Sequence, residues 1–476
     1  MDHTVPFVIN GAETVAPTAF PVVSPITAQT VHRCSSASVS DALSAVASAE
    51  AAFESWKRTT AGQRRDIFLK AAAIMDSRRD EIASYMKEEI GAAASWAQLN
   101  MNIAIDIVKD LAGRIATIEG SIPGTQSADV GGMVLKMPLG VVLAIAPWNA
   151  PVILGTRAIA FPMAAGNTVV FKGSEISPRT HWAVVSCFLQ AGVPAGVLNF
   201  IAATQTNASS VTTSIIAHPA VRKINFTGST AVGRVIARLA GENLKPVLLE
   251  LGGKAPAIVW NDADLDVAAA QCALGAFANA GQICMCTERI LVHTDVRQVF
   301  ETKLAACVDK FFPSADEAPI LATAAGVAKN RGLVADAVAK GAKVLAGSAD
   351  AADDASATRM RPVVLADVTR DMEIYHTESF GPSVSLISVH TEEEAIRIAN
   401  DTEYGLSSAV FTADLRRGLR FARGIDAGAV HINAMSVHDE SALPHGGCKS
   451  SGFGRFNASV GLDEWVRTKT ITYNID

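Results

Sequence analysis

The segment Asn225-Phe226-Thr227-Gly228-Ser229-Thr230-Ala231-Val232-Gly233 joins the end of an apolar strand to a turn of small residues and the start of a helix. Backbone N–H groups at the start of a helix form a binding site for phosphate. The segment lacks the G-x-G-x-x-G spacing, so its spacing alone is only a moderate signal for a dinucleotide. It predicts a strand–turn–helix unit of an α/β sheet.

Apolar strands and helices alternate around this segment. The expected order is a strand over 141–146, a helix from about 152, a strand over 168–171, a helix from 178, a strand over 197–200, a helix from 211, a strand over 223–226 and a helix from 231. A second alternating block begins near residue 256, with strands expected near 290–293, 343–346, 384–388, 407–411 and 429–432. Such alternation is typical of doubly wound parallel sheets, which bind ligands at the carboxyl ends of their strands. The sequence therefore predicts the α/β class, with a nucleotide-binding domain followed by a second α/β domain.

The remaining parts of the chain show different patterns. Residues 5–34 suit short edge strands, and apolar residues at helical spacing predict helices over 42–56, 61–76, 78–90 and about 96–118. The glycine-rich segment 131–140 and the threonine-rich alternation of 465–475 suit a small additional sheet. We expect this sheet to serve oligomerisation, in a homodimer or a dimer of dimers.

The composition limits the classes of function. The chain has 476 residues, enough for two or three domains, and its 49% hydrophobic and 18% charged residues are typical of a folded protein. A formal net charge of −6 provides no basic field, so we expect neither a nucleic-acid nor a membrane partner. The 7 cysteines are an odd number and indicate reduced thiols. Residues 1–6 lack the features of a secretory signal, so we expect a cytoplasmic protein.

Two polar residues follow turns that could expose them for chemistry. Cys284 comes just after a turn at Gly281, although a lone buried cysteine is more often inert packing. Asn149 lies between Pro147 and Pro151, which make the segment rigid. Its carboxamide could donate to a developing oxyanion or simply stabilise the loop.

A carboxylate, Glu250, ends another apolar strand. It is flanked by Leu249 and Leu251, and two glycines follow. In an apolar site its pKa is expected to rise toward that of a usable general base. The alternative is a strand-end carboxylate capped by a glycine turn.

Together these segments resemble the aldehyde dehydrogenase superfamily. The resemblance runs from Asn10-Gly11 to the C-terminal strand and includes three further motifs: Phe171-Lys172-Gly173-Ser174-Glu175, Glu378-Ser379-Phe380-Gly381-Pro382 and Pro444-His445-Gly446-Gly447-Cys448-Lys449-Ser450-Ser451-Gly452-Phe453-Gly454-Arg455. It implies a Rossmann-type NAD domain, an α/β catalytic domain and a small β oligomerisation arm. The implied boundaries are 1–118, 141–250 and 446–464 for the NAD domain, 119–140 for the arm, 251–445 for the catalytic domain and 465–476 for the oligomerisation strand.

The resemblance also implies a covalent mechanism. Cys284 would attack the aldehyde carbon as a thiolate, in a site that favours the anion. Asn149 and the backbone N–H of Cys284 would hold the oxyanion. Hydride transfer to NAD⁺ would leave a thioester, and Glu250 would deprotonate the water that hydrolyses it.

The resemblance assigns a set of residues to the cofactor NAD. They are Trp148, Lys172, Glu175, Gly228, Ser229, Gly233, Leu251, Glu378 and Phe380. Lys172 and Glu175 would meet the adenine ribose, and Glu378 with Phe380 the nicotinamide end. Because a carboxylate accepts from a 2'-hydroxyl and repels a 2'-phosphate, Glu175 predicts NAD⁺ rather than NADP⁺.

The substrate is expected in a funnel between the helix near 92–104, the residues flanking Cys284 and the loop before Pro444. Arg157, two helical turns beyond Asn149, could bind a polar substituent there or make a structural ion pair. Apolar contacts to a ring would come from Trp96, Leu99, Ile283 and Met285. The chain looks most similar to bacterial aromatic-aldehyde dehydrogenases, so salicylaldehyde oxidation to salicylate, a step of naphthalene breakdown, is the leading hypothesis.

Departures from the family pattern leave alternatives open. Gly173 replaces a usual proline, which predicts a looser cofactor loop, and Phe456 stands where an acidic residue is common. Cys286 forms a Cys-x-Cys pair with Cys284, but no further ligand lies nearby and no metal site is expected. The alternatives are another aromatic or aliphatic aldehyde, transfer of the acyl group to CoA, a cysteine thioester or ester hydrolase without redox chemistry, and a catalytically silent protein.

Overall fold

The computed structural model describes residues 3–312, 318–348 and 356–475. Within these ranges the strands are β1 (Thr4–Val5), β2 (Phe7–Ile9), β3 (Ala12–Thr14), β4 (Ala19–Val23), β5 (Thr30–Ser35), β6 (Val130–Pro138), β7 (Val141–Ile145), β8 (Thr168–Lys172), β9 (Leu198–Ile201), β10 (Val221–Thr227), β11 (Val247–Glu250), β12 (Ala255–Val259), β13 (Thr287–His293), β14 (Lys343–Ala346), β15 (Val363–Ala366), β16 (Ser383–Val389), β17 (Ala409–Phe411), β18 (His431–Ile432), β19 (Gly452–Phe453) and β20 (Val466–Asn474). The α-helices are α1 (Val39–Trp56), α2 (Ala61–Ser77), α3 (Arg79–Ile90), α4 (Ala94–Arg114), α5 (Pro151–Ala164), α6 (Pro178–Gln190), α7 (Gln205–Ala217), α8 (Thr230–Glu242), α9 (Leu265–Phe277), α10 (Arg297–Phe311), α11 (Ala324–Ala339), α12 (Glu373–His376), α13 (Glu392–Asn400), α14 (Leu415–Gly424) and α15 (Ala458–Asp463).

The first large sheet has eight strands in the order β19-β11-β10-β7-β8-β9-β2-β3. Its five central strands, β11, β10, β7, β8 and β9, are parallel. The chain runs outward from β7 through β8 to β9, then returns to build β10 and β11 on the other side of β7. The strand order therefore reverses between β7 and β10, which is where doubly wound sheets bind their ligands. The predicted α/β class with a doubly wound parallel sheet is confirmed.

The second large sheet has seven strands in the order β14-β15-β16-β13-β12-β17-β18. All neighbouring pairs are parallel except β14 with β15. Strands β12 and β13 are buried along their full length, as expected for a parallel sheet covered on both faces. The strands predicted after residue 256 belong to this sheet.

Capping residues set the limits of several helices. Ser38 and Asp41 form a capping box at the start of α1, and Thr60 with Gln63 forms another at α2. Helix α7 begins six residues earlier than the expected residue 211, because the Thr204 side chain accepts the N–H of Asn207 at 3.3 Å and caps it. Helix α4 ends at Arg114 because residues 115–117 tighten into a 3-10 turn.

Two small sheets complete the fold. Strands β1, β5 and β4 form one of them. In the other, β6 and β20 pair antiparallel from Val466 opposite Pro138 to Asn474 opposite Val130. The glycine-rich segment and the threonine-rich segment thus form one ribbon. Among the helices that the structure describes, none combines the length and apolarity needed to cross a bilayer.

Candidate active site

The carboxyl ends of neighbouring parallel strands supply one side of the site. Strand β7 leads into Asn149, β10 ends at Thr227 and leads into Gly228, and β11 ends at Glu250. Because the three strands are adjacent and parallel, their carboxyl ends lie along the same edge of the sheet. Three of the motifs found in the sequence therefore meet at the point where the strand order reverses.

A strained turn between α9 and β13 carries Cys284. Asn279, Ala280 and Gly281 all have positive φ, at 49°, 58° and 71°. A Cβ atom on Gly281 would lie 2.1 Å from the backbone oxygen of Gly381, so only glycine fits there. This turn brings Cys284 from the second large sheet to the strand ends of the first.

The Cys284 thiol faces Glu250. Its S–H donates to Oε1 of Glu250 over 3.1 Å. Burial, followed by the negative charge of Glu250, raises the pKa of Cys284 well above its ordinary value. The expectation of a site that favours the thiolate is therefore wrong for this arrangement, because the carboxylate that accepts the proton also repels the anion.

The Glu250 carboxylate lies among donors and cations. It is 1% exposed, Thr227 Oγ1 donates to Oε2 over 3.4 Å, and His445 Nε2 lies 3.5 Å from Oε1. Burial favours the neutral acid, but the His445 hydrogen bond and the charges of His445 and Arg157 outweigh it and lower the pKa of Glu250. The predicted rise is wrong, because apolar sequence neighbours do not reveal cations contributed by distant segments.

Asn149 is fixed from both sides. Its side-chain Nδ2 donates to the backbone oxygen of Gln282 over 2.9 Å. Trp96 Nε1 and Asn279 Nδ2 donate to the backbone oxygen of Asn149 over 3.0 and 3.2 Å. A primary amide has two N–H groups, so one stabilises the loop and the other remains for an oxyanion beside Cys284. The two interpretations of Asn149 are compatible.

A first cavity of about 250 Å³ opens on this edge of the sheet. Its lining is Pro147, Trp148, Asn149, Leu154, Thr227, Gly228, Ser229, Glu250, Leu251, Gly252, Cys284, Lys329, Glu378 and Phe380. Six of the nine residues assigned to the cofactor are in this set, and Ser229 caps the start of α8 beside Gly228. A helix N-terminus at the switch point of a doubly wound sheet fits a dinucleotide pyrophosphate.

Glu378 and Phe380 lie on the opposite wall of this cavity. Gly253 N–H donates to Glu378 Oε1 over 2.9 Å. Burial, with the charge of Glu288 next, raises the pKa of Glu378 to about 7. The Phe380 ring packs edge-on against Trp148, with ring centres 5.8 Å apart. The segment is held by Glu288, which accepts the Phe380 N–H over 3.1 Å.

Three residues assigned to the cofactor do not line the first cavity. Lys172 is buried at the end of β8, and Glu175 lines a separate cavity of about 340 Å³. Gly233 lies inside α8, where a Cβ atom would come within 2.5 Å of the Leu251 side chain. Their assignment to the cofactor remains a prediction.

Gly173, where a looser cofactor loop is predicted, packs closely against two rings, and the looser loop remains a prediction. A Cβ atom there would lie 2.7 Å from the Phe200 ring and 3.1 Å from Nδ1 of His181, so these rings fill the space. The next residue is also tied to the ring, since Ser174 N–H donates to His181 Nδ1 over 3.1 Å.

A second cavity of about 180 Å³ reaches Cys284 from the other side. Its lining is Trp96, Leu99, Ile103, Asn149, Ala150, Ile153, Leu154, Arg157, Glu250, Ile283, Cys284, Met285, Met435, Val437, His438, Asp439 and His445. All five residues assigned to the substrate are in this set. Asn149, Leu154, Glu250 and Cys284 line both cavities, so the two spaces meet at the thiol.

Arg157 forms the ion pair that the sequence left open. Its guanidinium pairs with Asp439, whose other oxygen accepts Asn457 Nδ2 over 2.8 Å. The Phe456 ring lies 5.3 Å from the guanidinium carbon. Within the part of the chain that the structure describes, the buried Nε–H of Arg157 has no hydrogen-bond partner. Arg157 is therefore both a structural residue and part of the cavity wall.

Several residues of the site are not predicted from the sequence. His445, Asp439, Thr227 and Lys329 line its two cavities. His445 lies inside one of the motifs that carry the family resemblance. Its imidazole next to two glycines is the sequence signal that could have marked it as a residue of the site. Asp439 had no such signal, because its partner Arg157 is far away in the chain.

The fold and the site define an α/β protein of the doubly wound type, with a buried cysteine thiol where two cavities meet at the carboxyl ends of the strands. The chain belongs to the aldehyde dehydrogenase family: the model described as "Aldehyde dehydrogenase family" matches residues 12–471. The resemblance and the enzyme class expected from the sequence are confirmed, and the chain is an NAD(P)-dependent aldehyde dehydrogenase.

Relatives with aromatic aldehydes in their names are similar over nearly the whole chain. A vanillin dehydrogenase of a Pseudomonas species is 42% identical over 455 residues, 94% of this chain and 93% of the relative. A salicylaldehyde dehydrogenase of another Pseudomonas strain is 40% identical over 462 residues, 95% of this chain and 94% of the relative. The crystal structure of a salicylaldehyde dehydrogenase from Pseudomonas putida, complexed with salicylaldehyde, matches with a TM-score of 0.95 and 38% identity, covering 99% of this chain and 98% of that one.

Proposed function

We propose that this protein oxidises aromatic aldehydes with NAD⁺ as its cofactor, and that salicylaldehyde, converted to salicylate, is the leading substrate. The observation that carries the proposal is the second cavity, which reaches the Cys284 thiol and is walled by an indole, apolar side chains and a guanidinium. The names of the vanillin and salicylaldehyde dehydrogenase relatives support it. A place in the breakdown of aromatic hydrocarbons such as naphthalene follows from the same proposal.

The indole of Trp96 is the main element of aromatic selectivity in this proposal. Its Nε1 bond to the backbone oxygen of Asn149 fixes the ring at 3.0 Å from that loop. Aromatic pairs gain about 0.5–1.5 kcal/mol beyond the burial of their area. Leu99, Ile283 and Met285 complete a lining that a planar ring can fill.

Arg157 supports a phenolic substrate. Its pairing with Asp439 uses one edge of the guanidinium, and the Nε–H stays buried without a partner among the described residues. A buried donor without an acceptor costs about 1–3 kcal/mol. The Arg157 side chain also lines the second cavity, so its positive charge would attract a phenolic oxygen beside the aldehyde, which benzaldehyde lacks.

The mechanism starts from the contact between the thiol and Glu250. Glu250 accepts the S–H proton over 3.1 Å, the sulfur bonds to the aldehyde carbon, and the free N–H of Asn149 with the Cys284 backbone N–H stabilises the oxyanion. A nicotinamide cofactor held by the residues of the first cavity would supply the hydride acceptor that conversion of the thiohemiacetal to a thioester requires. Glu250 then takes a proton from the water that cleaves the thioester and frees Cys284.

The cofactor residues are proposed from the first cavity and the strand end beside it. Gly228 and Ser229 would hold the pyrophosphate at the start of α8, while Glu378 and Phe380 would contact the nicotinamide ribose and ring. We place Lys172 and Glu175 at the adenine ribose. The negative charge of Glu175 is the reason to expect NAD⁺ over NADP⁺.

The ribbon of β6 and β20 is proposed as the oligomerisation element. Leu135, Tyr473 and Ile475 on or beside it are 39%, 47% and 59% exposed, which is unusual for apolar side chains on a two-stranded ribbon. Burial against another copy would cover them in a homodimer or a dimer of dimers. Light scattering of the purified chain tests this, and a monomer would refute it.

A panel of aldehydes tests the substrate proposal. Salicylaldehyde, vanillin, benzaldehyde and hexanal are compared by kcat/KM, from NADH absorbance, with NAD⁺ and NADP⁺ in parallel. We expect the phenolic aldehydes to lead and hexanal to be poorest. A preference for hexanal would refute the aromatic assignment, and equal efficiency with NADP⁺ would refute the role of Glu175.

Two variants test the mechanism in the same assay. Cys284→Ala should form no NADH with any aldehyde, since no other thiol reaches both cavities. Glu250→Ala should give one burst of NADH and stop at the thioester, which adds the acyl mass to the protein. Full turnover by Cys284→Ala would overturn the covalent route.

A further inference from the structure

His445 is an imidazole beside Glu250 that the mechanism above leaves without a task. It is 8% exposed, and its backbone is fixed by two hydrogen bonds to Phe456, of 2.9 and 2.7 Å. The following Gly446 has no room for a side chain, since a Cβ atom would lie 2.5 Å from the backbone oxygen of Gly454. The backbone that carries the imidazole is therefore fixed in position.

One oxygen of Glu250 stands between the thiol and this imidazole. Oε1 lies 3.1 Å from Cys284 Sγ and 3.5 Å from His445 Nε2. In each turnover Glu250 takes one proton from the thiol and one from water. Glu250 is 1% exposed although it lines both cavities, so a neighbouring group that accepts its protons would return it to the carboxylate faster.

Phe456, which lies near Arg157, cannot provide another route for the protons of Glu250. Its ring packs against Phe161, with ring centres 6.0 Å apart, and against Arg157. A carboxylate at this position could carry protons, but a phenyl ring cannot. His445 lines the second cavity together with His438, which is partly exposed, so a proton on its ring can reach the solvent of that cavity.

We propose that His445 is the proton relay of this enzyme, accepting protons from Glu250 at Nε2 and releasing them from Nδ1 to water in the substrate cavity. The inference rests on the proposed aldehyde oxidation and thioester hydrolysis. It adds to them the route by which Glu250 loses its proton in each half-reaction.

The hydrolytic step balances through this route. Water bonds through oxygen to the thioester carbon as its O–H proton moves to Glu250, and the tetrahedral intermediate collapses with cleavage of the C–S bond. Cys284 leaves as a thiolate and takes the proton of the product acid, which leaves as the carboxylate. Once Glu250 is protonated, exchange with the water of the cavity converts His445 from the Nε2–H to the Nδ1–H tautomer, whose Nε2 lone pair accepts the Glu250 proton. The resulting imidazolium loses its Nδ1 proton to water, which restores the Nε2–H tautomer for the next turnover. No oxidant or reductant takes part in this step.

Charged groups of both signs lie around the imidazole of His445. Glu250 and Asp439 both interact with His445 as carboxylates, and His431 interacts with it as a like charge. Arg157 acts on Glu250 and Asp439 from the cavity wall. Two carboxylates, one further imidazole and one paired guanidinium are therefore the charged groups around His445.

The test uses two variants of the full chain. His445→Gln keeps an N–H donor for Glu250 but cannot accept a proton, and His445→Ala leaves a space that free imidazole can enter. His376→Gln, an exposed histidine on α12, is the control. Rapid-mixing measurement of NADH separates the first turnover from steady state, and intact mass measures the acyl-enzyme.

In His445→Gln we expect the NADH burst to persist, the steady-state rate to fall at least about 10-fold, and the acyl-enzyme to accumulate. In His445→Ala, added imidazole should restore the rate in proportion to its neutral form.

Three results would overturn the relay. The first is a wild-type steady-state rate in His445→Gln. The second is a His445→Ala variant that keeps its thermal midpoint but whose rate imidazole does not restore at any concentration. The third is an equal loss of rate in His445→Gln and His376→Gln. A wild-type enzyme that forms no NADH with any aldehyde would instead refute the proposed function, and the relay with it.

Discussion

The sulfur of Cys284 lies 3.1 Å from Oε1 of Glu250, with the thiol proton between them. The carboxylate that is placed to take this proton also raises the pKa of the thiol by its charge. The resting site therefore holds a neutral nucleophile beside its base. Such an arrangement protects the sulfur from oxidation and alkylation until a substrate draws the proton away, because the thiolate is the reactive form.

Replacing Glu250 by Gln should make Cys284 more reactive toward a small alkylating agent. The substitution removes the nearby negative charge, so the pKa of the thiol falls and the thiolate fraction at pH 8 rises. We expect the rate of iodoacetamide labelling at Cys284, followed by peptide mass, to rise several-fold and its pH profile to move to lower pH. Glu403→Gln, at a surface carboxylate paired with Arg234, is the control. Slower labelling in Glu250→Gln would show instead that proton removal by Glu250 dominates.

The pair of Arg157 and Asp439 should be a stability element as well as a cavity wall. Both side chains are almost fully buried, at 2% and 7% exposed. Removing one partner of a buried pair costs about 3–5 kcal/mol, because the other charge is left without compensation. Arg157→Leu should therefore lower the free energy of unfolding by that amount, measured from urea denaturation.

The double variant Arg157→Leu with Asp439→Leu separates pairing from packing. Because no uncompensated charge remains in it, we expect it to recover most of the lost stability. Its activity with salicylaldehyde should nevertheless stay low if Arg157 binds the phenolic oxygen. Wild-type stability in both single variants would contradict the assigned pair.

The order of strands and helices followed from the sequence because it depends on local patterns. Buried parallel strands appear in a sequence as short apolar runs. The βα alternation of 141–250 therefore predicts a doubly wound sheet. Errors arose at helix ends: α7 begins at Gln205 because of a single side-chain cap at Thr204. A cap of that kind is local but weak as a sequence signal.

The candidate site was less accessible to sequence reasoning, for a physical reason. Cys284, Glu250 and Asn149 each follow a strand or a turn that sequence can show, and the structure brings them together. The direction of the Glu250 pKa depends on Arg157 and His445, which approach from distant parts of the chain. Electrostatic effects of this range are set by tertiary contacts, so local apolar context led to the wrong sign.

Cofactor affinity should depend on the ionisation of Glu378. Burial and the charge of Glu288 raise the pKa of Glu378 to about 7, so the carboxylate is largely neutral at pH 6 and ionised at pH 8. An ionised carboxylate is the stronger hydrogen-bond acceptor for ribose hydroxyls. We therefore expect the KM for NAD⁺ to fall about 5-fold between pH 6 and pH 8, in line with roughly 1 kcal/mol for one such bond.

Glu378→Gln supplies the comparison for that measurement. The amide keeps the shape of the side chain but does not titrate, so its KM for NAD⁺ should be flat over the same range and close to the wild-type value at pH 6. If the wild-type KM were equally flat, Glu378 would not contact the ribose as a titrating group.

Trp96 links the substrate cavity to the oxyanion loop, and two substitutions separate these tasks. Trp96→Phe keeps a flat ring but removes the Nε1 bond to the backbone oxygen of Asn149, which is 3.0 Å long. Loss of a buried neutral hydrogen bond costs about 1 kcal/mol, and here it loosens the loop that holds the oxyanion donor. We expect kcat with salicylaldehyde to fall about 5-fold, with little change in KM.

Trp96→Leu should behave differently, because it removes the ring as well. The KM for salicylaldehyde should rise while that for hexanal changes little, so the ratio of their kcat/KM values should fall by about 10-fold, near the upper end of what one aromatic pair contributes. Trp182→Phe is the matched control, since its Nε1 donates to Glu13 over 2.8 Å on the surface, away from both cavities. Equal kinetic changes in Trp182→Phe and Trp96→Phe would mean that the indole N–H of Trp96 has no special part in positioning Asn149.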